Sequence, residues 1–307
     1  MTEKRDLLTL MDYKPEEIYR LLSLGIEGKR TRSENREPRA LAGKNIALIF
    51  GKPSTRTRIS FEVAVNQLGG DAIYLAEREL QMGRGETIED TGRVLARYVD
   101  AIVIRTFSQQ NIVEVAKSTN VPVINALTDT FHPCQALADL MTILEKKGRL
   151  SGIRVAYIGD GNNVCNSLMI GSAKMGIDFV AACPPGYEPD EQIIKEATAK
   201  GSGQPKIEIV NDPGLAARDA DVLYTDVWAS MGQEDERDQR LADFSRFQVD
   251  AGLLRRAHPE ALIMHCLPAH RGEEISAEVI DGPRSIVFDQ AENRLHVQKA
   301  LLRWLLK

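Results

Sequence analysis

The sequence predicts an α/β protein of two doubly wound domains, each built on a central parallel sheet with helices on both faces. Three observations predict it. Short apolar runs that read as buried strands alternate with stretches of 3.6-residue periodicity along the whole chain, the pattern of strand–helix–strand units. The chain has 307 residues, enough for two domains of ordinary size. A Gly-Arg-Leu-Ser-Gly break at 148–152 falls near its middle.

In the first half the strand candidates are 45–50, 71–75, 100–104 and 121–126. The run from Ile46 to Phe50 is uniformly apolar, as a strand buried on both faces requires. Phe61, Val65 and Leu68 then share one helical face, and Gly69-Gly70 ends that helix. Ile112, Val115 and Ala116 mark a second amphipathic helix. Pro133 opens a third, because its missing N–H is one that the first helical turn would leave unpaired anyway. That helix carries Leu137, Leu140, Met141 and Leu144. In the second half the candidates are 153–159, 177–183, 206–210, 221–225, 261–265 and 285–288. A last helix, about 290–306, aligns Ala291, Leu295, Leu302 and Leu305. The longest polar stretch, Gln233 to Arg240, reads as a loop. Domains are expected at 1–148 and 149–289, with the final helix beyond them.

The balance of 43% hydrophobic and 27% charged residues is that of a soluble globular protein whose core needs no metal or disulfide staple. A net charge of −5 argues against non-specific nucleic-acid binding. No apolar run reaches the roughly 20 residues that span a bilayer, and Met-Thr-Glu-Lys-Arg-Asp is no signal peptide. Cys134, Cys165, Cys183 and Cys266 form no CxxC and no metal spacing, so reduced thiols in a cytoplasmic protein are expected.

The string Lys52-Pro-Ser-Thr-Arg-Thr-Arg-Ile-Ser-Phe-Glu62 sits where the first strand turns into a helix. Ser54 is a natural N-cap there. The free N–H groups of the first helical turn, with the positive end of the dipole, favour an anion. Arg56 and Arg58 add charge, and a guanidinium can grip phosphate through two parallel hydrogen bonds. The string is therefore read as a phosphate site, with an ordinary capped helix as the alternative. It is not a P-loop, since no Gly-x-x-x-x-Gly-Lys-Ser/Thr occurs.

Further polar groups stand at predicted strand ends, where doubly wound sheets collect active groups. Arg105 follows strand 100–104. His132 lies at a helix N-terminus, where the dipole disfavours its charged form and leaves a neutral donor for a carbonyl oxygen. Gln135 is one turn on. Asp226 follows strand 221–225 and suits an amine or a helix cap. Cys266 follows strand 261–265; it reads either as a nucleophile with His265 or His270 as base, or as a packing residue whose carbonyl does the work. Gly159-Asp-Gly-Asn-Asn-Val164 resembles half of a dinucleotide fingerprint, but Val164 replaces the third glycine. Asn162 and Asn163 suit a polar substrate instead.

Ser54-Thr-Arg-Thr-Arg58, His132-Pro-Cys-Gln135, Asp226-Val-Trp-Ala-Ser-Met-Gly232 and His265-Cys-Leu-Pro268 occur in this order, and together they resemble the ornithine carbamoyltransferase family over essentially the whole chain. The first motif alone marks the aspartate/ornithine carbamoyltransferase superfamily; the last two resemble the ornithine branch. The resemblance implies a carbamoyl-phosphate domain, an amino-acid domain, and a last helix, 290–307, that packs back on the first. It implies that Ser54, Thr55, Arg56 and Thr57 hold the phosphate, and that Arg105 bridges phosphate and carbonyl oxygen. His132 and Thr57 would polarise that oxygen. Gln135, Arg294 and the carbonyls of Cys266 and Leu267 would hold the carbamoyl nitrogen. Asn163, Asp226, Ser230 and Met231 would bind ornithine, with Asp226 and Cys266 orienting and deprotonating its amine. It further implies a trimer in which Gln81 reaches a neighbour's phosphate, no cofactor and no metal. Many members carry glutamate where Gly51 stands. The competing readings are a different amine acceptor, such as acetylornithine or putrescine; a nicotinamide-dependent dehydrogenase using the Gly159 loop; and a non-catalytic anion-binding protein.

Overall fold

The computed structural model describes residues 4–34, 36–80, 85–230, 232 and 234–306. They divide into two compact units, Met1–Met141 with Glu292–Lys307, and Thr142–Ala291. The fold class expected from the alternating pattern is the one observed: two parallel sheets, each flanked by helices.

The first unit starts with α1 (Pro15–Ser33), then alternates β1 (Asn45–Phe50), α2 (Thr55–Gln67), β2 (Asp71–Ala76), α3 (Ile88–Leu95), β3 (Ala101–Arg105), α4 (Gln109–Ser118) and β4 (Val123–Leu127). α5 (Pro133–Lys147) follows. The strand order is β2-β1-β3-β4, all parallel, with Ile46 opposite both Ala72 and Ala101. β1 and β3 are central and almost wholly buried, which is why their sequences read as unbroken apolar runs. Ala47, Ile49, Ile102 and Ile104 pack against Ile112 and Val115 of α4. Pairing with β4 shifts by one residue between Ile104 and Arg105. This irregularity falls at the strand end that carries Arg105, and such shifts re-aim a side chain. Leu7 extends the edge beyond β4, accepting from Asn125 N and donating to Val123 O.

The second unit runs β5 (Arg154–Ile158), α6 (Asn163–Met175), β6 (Asp178–Ala182), α7 (Glu191–Ala199), β7 (Ile207–Val210), α8 (Pro213–Ala217) and β8 (Val222–Thr225). Then come α9 (Arg237–Asp243), α10 (Ala251–Leu254), β9 (Leu262–His265), α11 (Ala277–Ile280) and α12 (Val287–Leu305). The order β7-β6-β5-β8-β9 reverses direction of growth between β5 and β8. That switch point leaves the ends of β5 and β8 open to each other, the usual place for a ligand. Ala156, Ile158, Leu223 and Ile263 meet Phe244 and Phe247 in the core.

Two expectations are corrected. Residues 285–288 form no strand: Ser285 makes only an isolated bridge to Ile263, and α12 already begins at Val287. Four apolar-leaning residues do not separate a strand from a first helical turn. The polar stretch Gln233 to Arg240 is not a plain loop either, because Glu234–Glu236 forms a 3-10 turn and α9 follows directly.

Candidate active site

In the first unit the phosphate-like string folds as its residue types dictate. Ser54 is the extended N-cap of α2, and its Oγ accepts from Thr57 N at 3.2 Å. Thr55 and Arg56 are exposed in the first turn. Thr57 turns inward, and its Oγ1 accepts from Arg294 Nη2 at 3.0 Å. The other arm of that guanidinium, Nη1, donates to Gln135 Oε1 at 2.6 Å, and Gln135 Nε2 donates to Asp139 Oδ1 at 2.8 Å. Arg294 comes from α12, in the part that belongs to this unit, so a residue near the chain's end is built into a site made from its first half.

His132 stands just before α5 and is buried. Its burial, and then the positive charges of Arg294, Arg105 and Arg56, hold its pKa well below the ordinary histidine value. It is therefore a neutral imidazole surrounded by guanidiniums. Lys52, also buried, reaches Asp129 at 2.5 Å and lies 4.0 Å over the ring of Phe107. Arg58 does not join this group. It pairs with Glu62 at 2.8 Å and stacks 3.6 Å over Tyr74, on another face of α2.

In the second unit the centre is Asp226, at the end of β8 and buried. Cys266 Sγ donates to its Oδ1 at 2.9 Å, and Asn162 Nδ2 donates to its Oδ2 at 2.9 Å. Asn162 is also the N-cap of α6, accepting from Val164 N and Cys165 N. Asn163 is the first residue of that helix and half-buried, as is Ser230 in the turn after β8. The thiol of Cys266 is thus directed to a carboxylate, not to an imidazole. His265 has both ring nitrogens engaged: Nδ1 accepts from Leu267 N at 2.9 Å, and Nε2 meets Glu274 Oε1 at 3.2 Å. This argues against a cysteine–histidine nucleophile. Leu267 itself adopts a left-handed φ of 59°, an uncommon conformation for a branched side chain.

The Gly159 loop is filled by protein. Gly161 N donates to Tyr187 O at 2.8 Å, and a Cβ on Gly161 would collide with Pro189 N and lie 2.5 Å from the Glu188 carbonyl carbon. The second glycine of the half-fingerprint therefore admits this chain's own backbone where a dinucleotide site would admit a pyrophosphate.

Two groups among the described residues bring three ligand-type atoms within 4.8 Å: Asp226, His265 and Cys266, and His270, Glu273 and Glu274. The imidazole of the first group is committed to Leu267 and Glu274, and in the second Glu273 pairs with Arg237. Gln81 and Met231 lie outside the described residues.

Sequence reading missed three contributors. Asn162 is seen there only as a substrate contact, yet it both caps α6 and holds Asp226. Gln290 fixes the β9 end by accepting from His265 N and donating to Tyr224 Oη. Arg240 anchors the turn after β8 by donating to Asp160 Oδ2 and Trp228 O, each at 3.0 Å. A cap signal, Asn before an apolar helical run, was available for the first. Nothing in the spacing marks the other two.

A buried cluster of guanidinium, hydroxyl and amide groups in one α/β unit and a buried carboxylate at the switch point of the other are chemistry suited to small anionic and amine-bearing metabolites. Comparison with known proteins narrows that class. Residues 5–145 match the aspartate/ornithine carbamoyltransferase carbamoyl-P binding domain, and residues 151–305 match the Asp/Orn binding domain of the same family. The chain belongs to the aspartate/ornithine carbamoyltransferase family. It is 56% identical over 304 residues to the ornithine carbamoyltransferase of Pyrococcus abyssi, covering 98% of this chain and 96% of that protein. It is likewise 56% identical over 300 residues to the anabolic ornithine carbamoyltransferase of Pyrococcus furiosus, covering 97% and 95%. The solved ornithine carbamoyltransferase structure from Pyrococcus furiosus superposes with a TM-score of 0.95 at 55% identity, covering 97% of this chain and 96% of that one.

Proposed function

We propose that this protein transfers the carbamoyl group of carbamoyl phosphate to the δ-amine of L-ornithine, giving L-citrulline and phosphate. The observation that carries the reading is the buried Arg294–Thr57–Gln135 cluster beside a neutral His132, with Arg56 and Arg105 contributing charge. Such a set suits a phosphate dianion joined to a carbonyl.

On this reading Ser54, Thr55, Arg56 and Thr57 hold the phosphate at the positive end of α2. The neutral amine attacks the carbonyl carbon, and negative charge grows on the carbonyl oxygen. Arg105, His132 and Thr57 donate to it. Thr57 Oγ1 accepts from Arg294, which leaves its own proton to donate. A preorganised donor of this kind is typically worth roughly 3–4 kcal/mol in the barrier. Gln135 and Arg294 orient the carbamoyl group. Asp226 and Cys266 orient the amine and take up its proton as a pair, while Asn163, Ser230 and Met231 hold the amino-acid end. Phosphate is a competent leaving group, so the proposed step draws on binding, orientation and charge stabilisation by side chains. An anabolic relative favours arginine biosynthesis as the setting. No helix among the described residues is long and apolar enough to cross a membrane. The proposed assembly is a trimer.

The test is citrulline formation from carbamoyl phosphate, with kcat/KM compared for ornithine, acetylornithine and putrescine. Ornithine is expected to lead. Arg56→Ala is expected to weaken carbamoyl-phosphate binding by about 2–5 kcal/mol in calorimetry, with circular dichroism unchanged. Near-normal affinity would overturn the phosphate assignment.

A further inference from the structure

We infer that Glu77 is a positioning residue of the phosphate half-site, its carboxylate seated in a notch that glycine at position 51 leaves open. The inference rests on the carbamoyl-phosphate reading above. Gly51 is the first residue after β1 and begins the turn that delivers Ser54 and α2. It is not among the glycines with positive φ, so backbone freedom does not explain it. Space does. A Cβ at position 51 would fall within the van der Waals envelope of Glu77 Oε2, 3.0 Å from Glu77 Cδ and 3.6 Å from Arg105 O.

Glu77 follows directly on β2, opening a 3-10 turn. Its Oε2 accepts from Thr106 Oγ1 at 3.4 Å, and Gly51 N donates to Arg105 O at 2.8 Å. One carboxylate therefore bears on the carboxyl ends of β1 and β3 while tethered to the end of β2. It touches the residue before Lys52 and the residue after Arg105. A half-buried carboxylate that only filled space would cost desolvation for nothing. Set beside Arg105, it holds the floor from which Arg105 and the Ser54 turn project. Its neighbours Arg78 and Glu79 are exposed and 3.9 Å from each other, so position 77, not acidity of the segment, is what counts.

The experiment compares carbamoyl-phosphate KM, ornithine KM and kcat for full-length Glu77→Ala, Gly51→Ala, Glu79→Ala and the exchange variant Glu77→Ala/Gly51→Glu, with phosphate affinity measured by calorimetry. Glu77→Ala is expected to raise carbamoyl-phosphate KM about tenfold, with ornithine KM and kcat within about twofold. Gly51→Ala, which drives the carboxylate out, should do the same, and Glu79→Ala should change nothing. The exchange variant returns a carboxylate to the notch from the opposite side and should bring KM back to within about threefold of wild type. If it does not fold, Glu77→Ala/Gly51→Ala replaces it and should match Glu77→Ala alone. An unchanged KM in folded Glu77→Ala, no rescue in a folded exchange variant, or additive losses in the replacement double variant overturns the inference. If wild type makes no citrulline, the reaction reading fails, and the phosphate affinities of the same variants still decide Glu77.

Discussion

His132 owes its ionisation state to burial and then to three guanidiniums, and that has a consequence for stability. In the unfolded chain its imidazole titrates near pH 6.5. In the folded protein its pKa lies well below that, so the unfolded state binds the extra proton. Stability therefore is full above about pH 6.5 and falls as pH drops below it, by about 1.4 kcal/mol per pH unit from this one group until the folded pKa is reached. Urea melts of wild type and His132→Gln at pH 7.5 and 5.5 test this: the wild type should lose more stability between the two. Equal losses would show that His132 takes up its proton in the folded state. The neutral state was legible in the sequence, from a histidine placed before a proline-initiated helix. Its larger cause was not, since burial and Arg294 come from parts of the chain that spacing cannot bring together. Arg58 shows the opposite limit. Its place in a basic string suggests phosphate, while one helical turn aims it at Glu62 and Tyr74.

At the scale of elements, the strands were readable because parallel strands buried on both faces are apolar through their middles, as β1, β3, β5 and β8 are between polar end residues such as Asn45, Arg105, Arg154 and Thr225. What failed was local composition without periodicity. α9 reads as a polar loop because the side chain that secures it, Arg240, is a cation buried through its bonds to Asp160, Glu236 and Trp228 O, and no spacing in the sequence marks Asp160 or Trp228 as its partner. Burial drives Asp160 up to about 6 even against that cation, so the pair holds the turn after β8 without being a strong source of stability. The junction of α6 with β8 is the element on which the proposed amine half-site depends. Asn162 caps the helix through Oδ1 and holds Asp226 through Nδ2. Asn162→Asp separates the two roles: the capping oxygen remains, but the donor to Asp226 becomes a second carboxylate. Ornithine KM is expected to rise about tenfold or more, since a lost charged hydrogen bond is worth roughly 1.5–3 kcal/mol, with carbamoyl-phosphate KM unchanged. Asn162→Ala should in addition lose about 1 kcal/mol of stability with the cap. Equal effects on both substrates would mean that Asn162 supports the whole protein and not the amine half-site.

At the scale of the whole molecule the open question is how many chains build one site. The first unit exposes Ile59 on α2, Ile73 on the edge strand β2, and Val94 and Tyr98 on or just after α3. Large apolar side chains left in water, and an edge strand such as β2 that carries one of them, are features that a symmetric interface covers. The segment Gln81-Met-Gly-Arg-Gly-Glu86 links that edge strand to α3. If Gln81 completes a neighbour's phosphate site, cyclic symmetry puts one borrowed glutamine in each of three sites. Arg56→Ala and Gln81→Ala chains are then each impaired alone and complement when mixed. A working site needs Arg56 from a Gln81→Ala chain and Gln81 from an adjacent Arg56→Ala chain. With random exchange at equal amounts, about a quarter of the sites meet both conditions. Recovery of citrulline formation toward that fraction, appearing only after subunit exchange and growing with exchange time, is the expected result. Mixed trimers with no recovery, from a Gln81→Ala parent that is itself strongly impaired, would mean that each site is built from one chain. The apolar faces would then serve assembly alone.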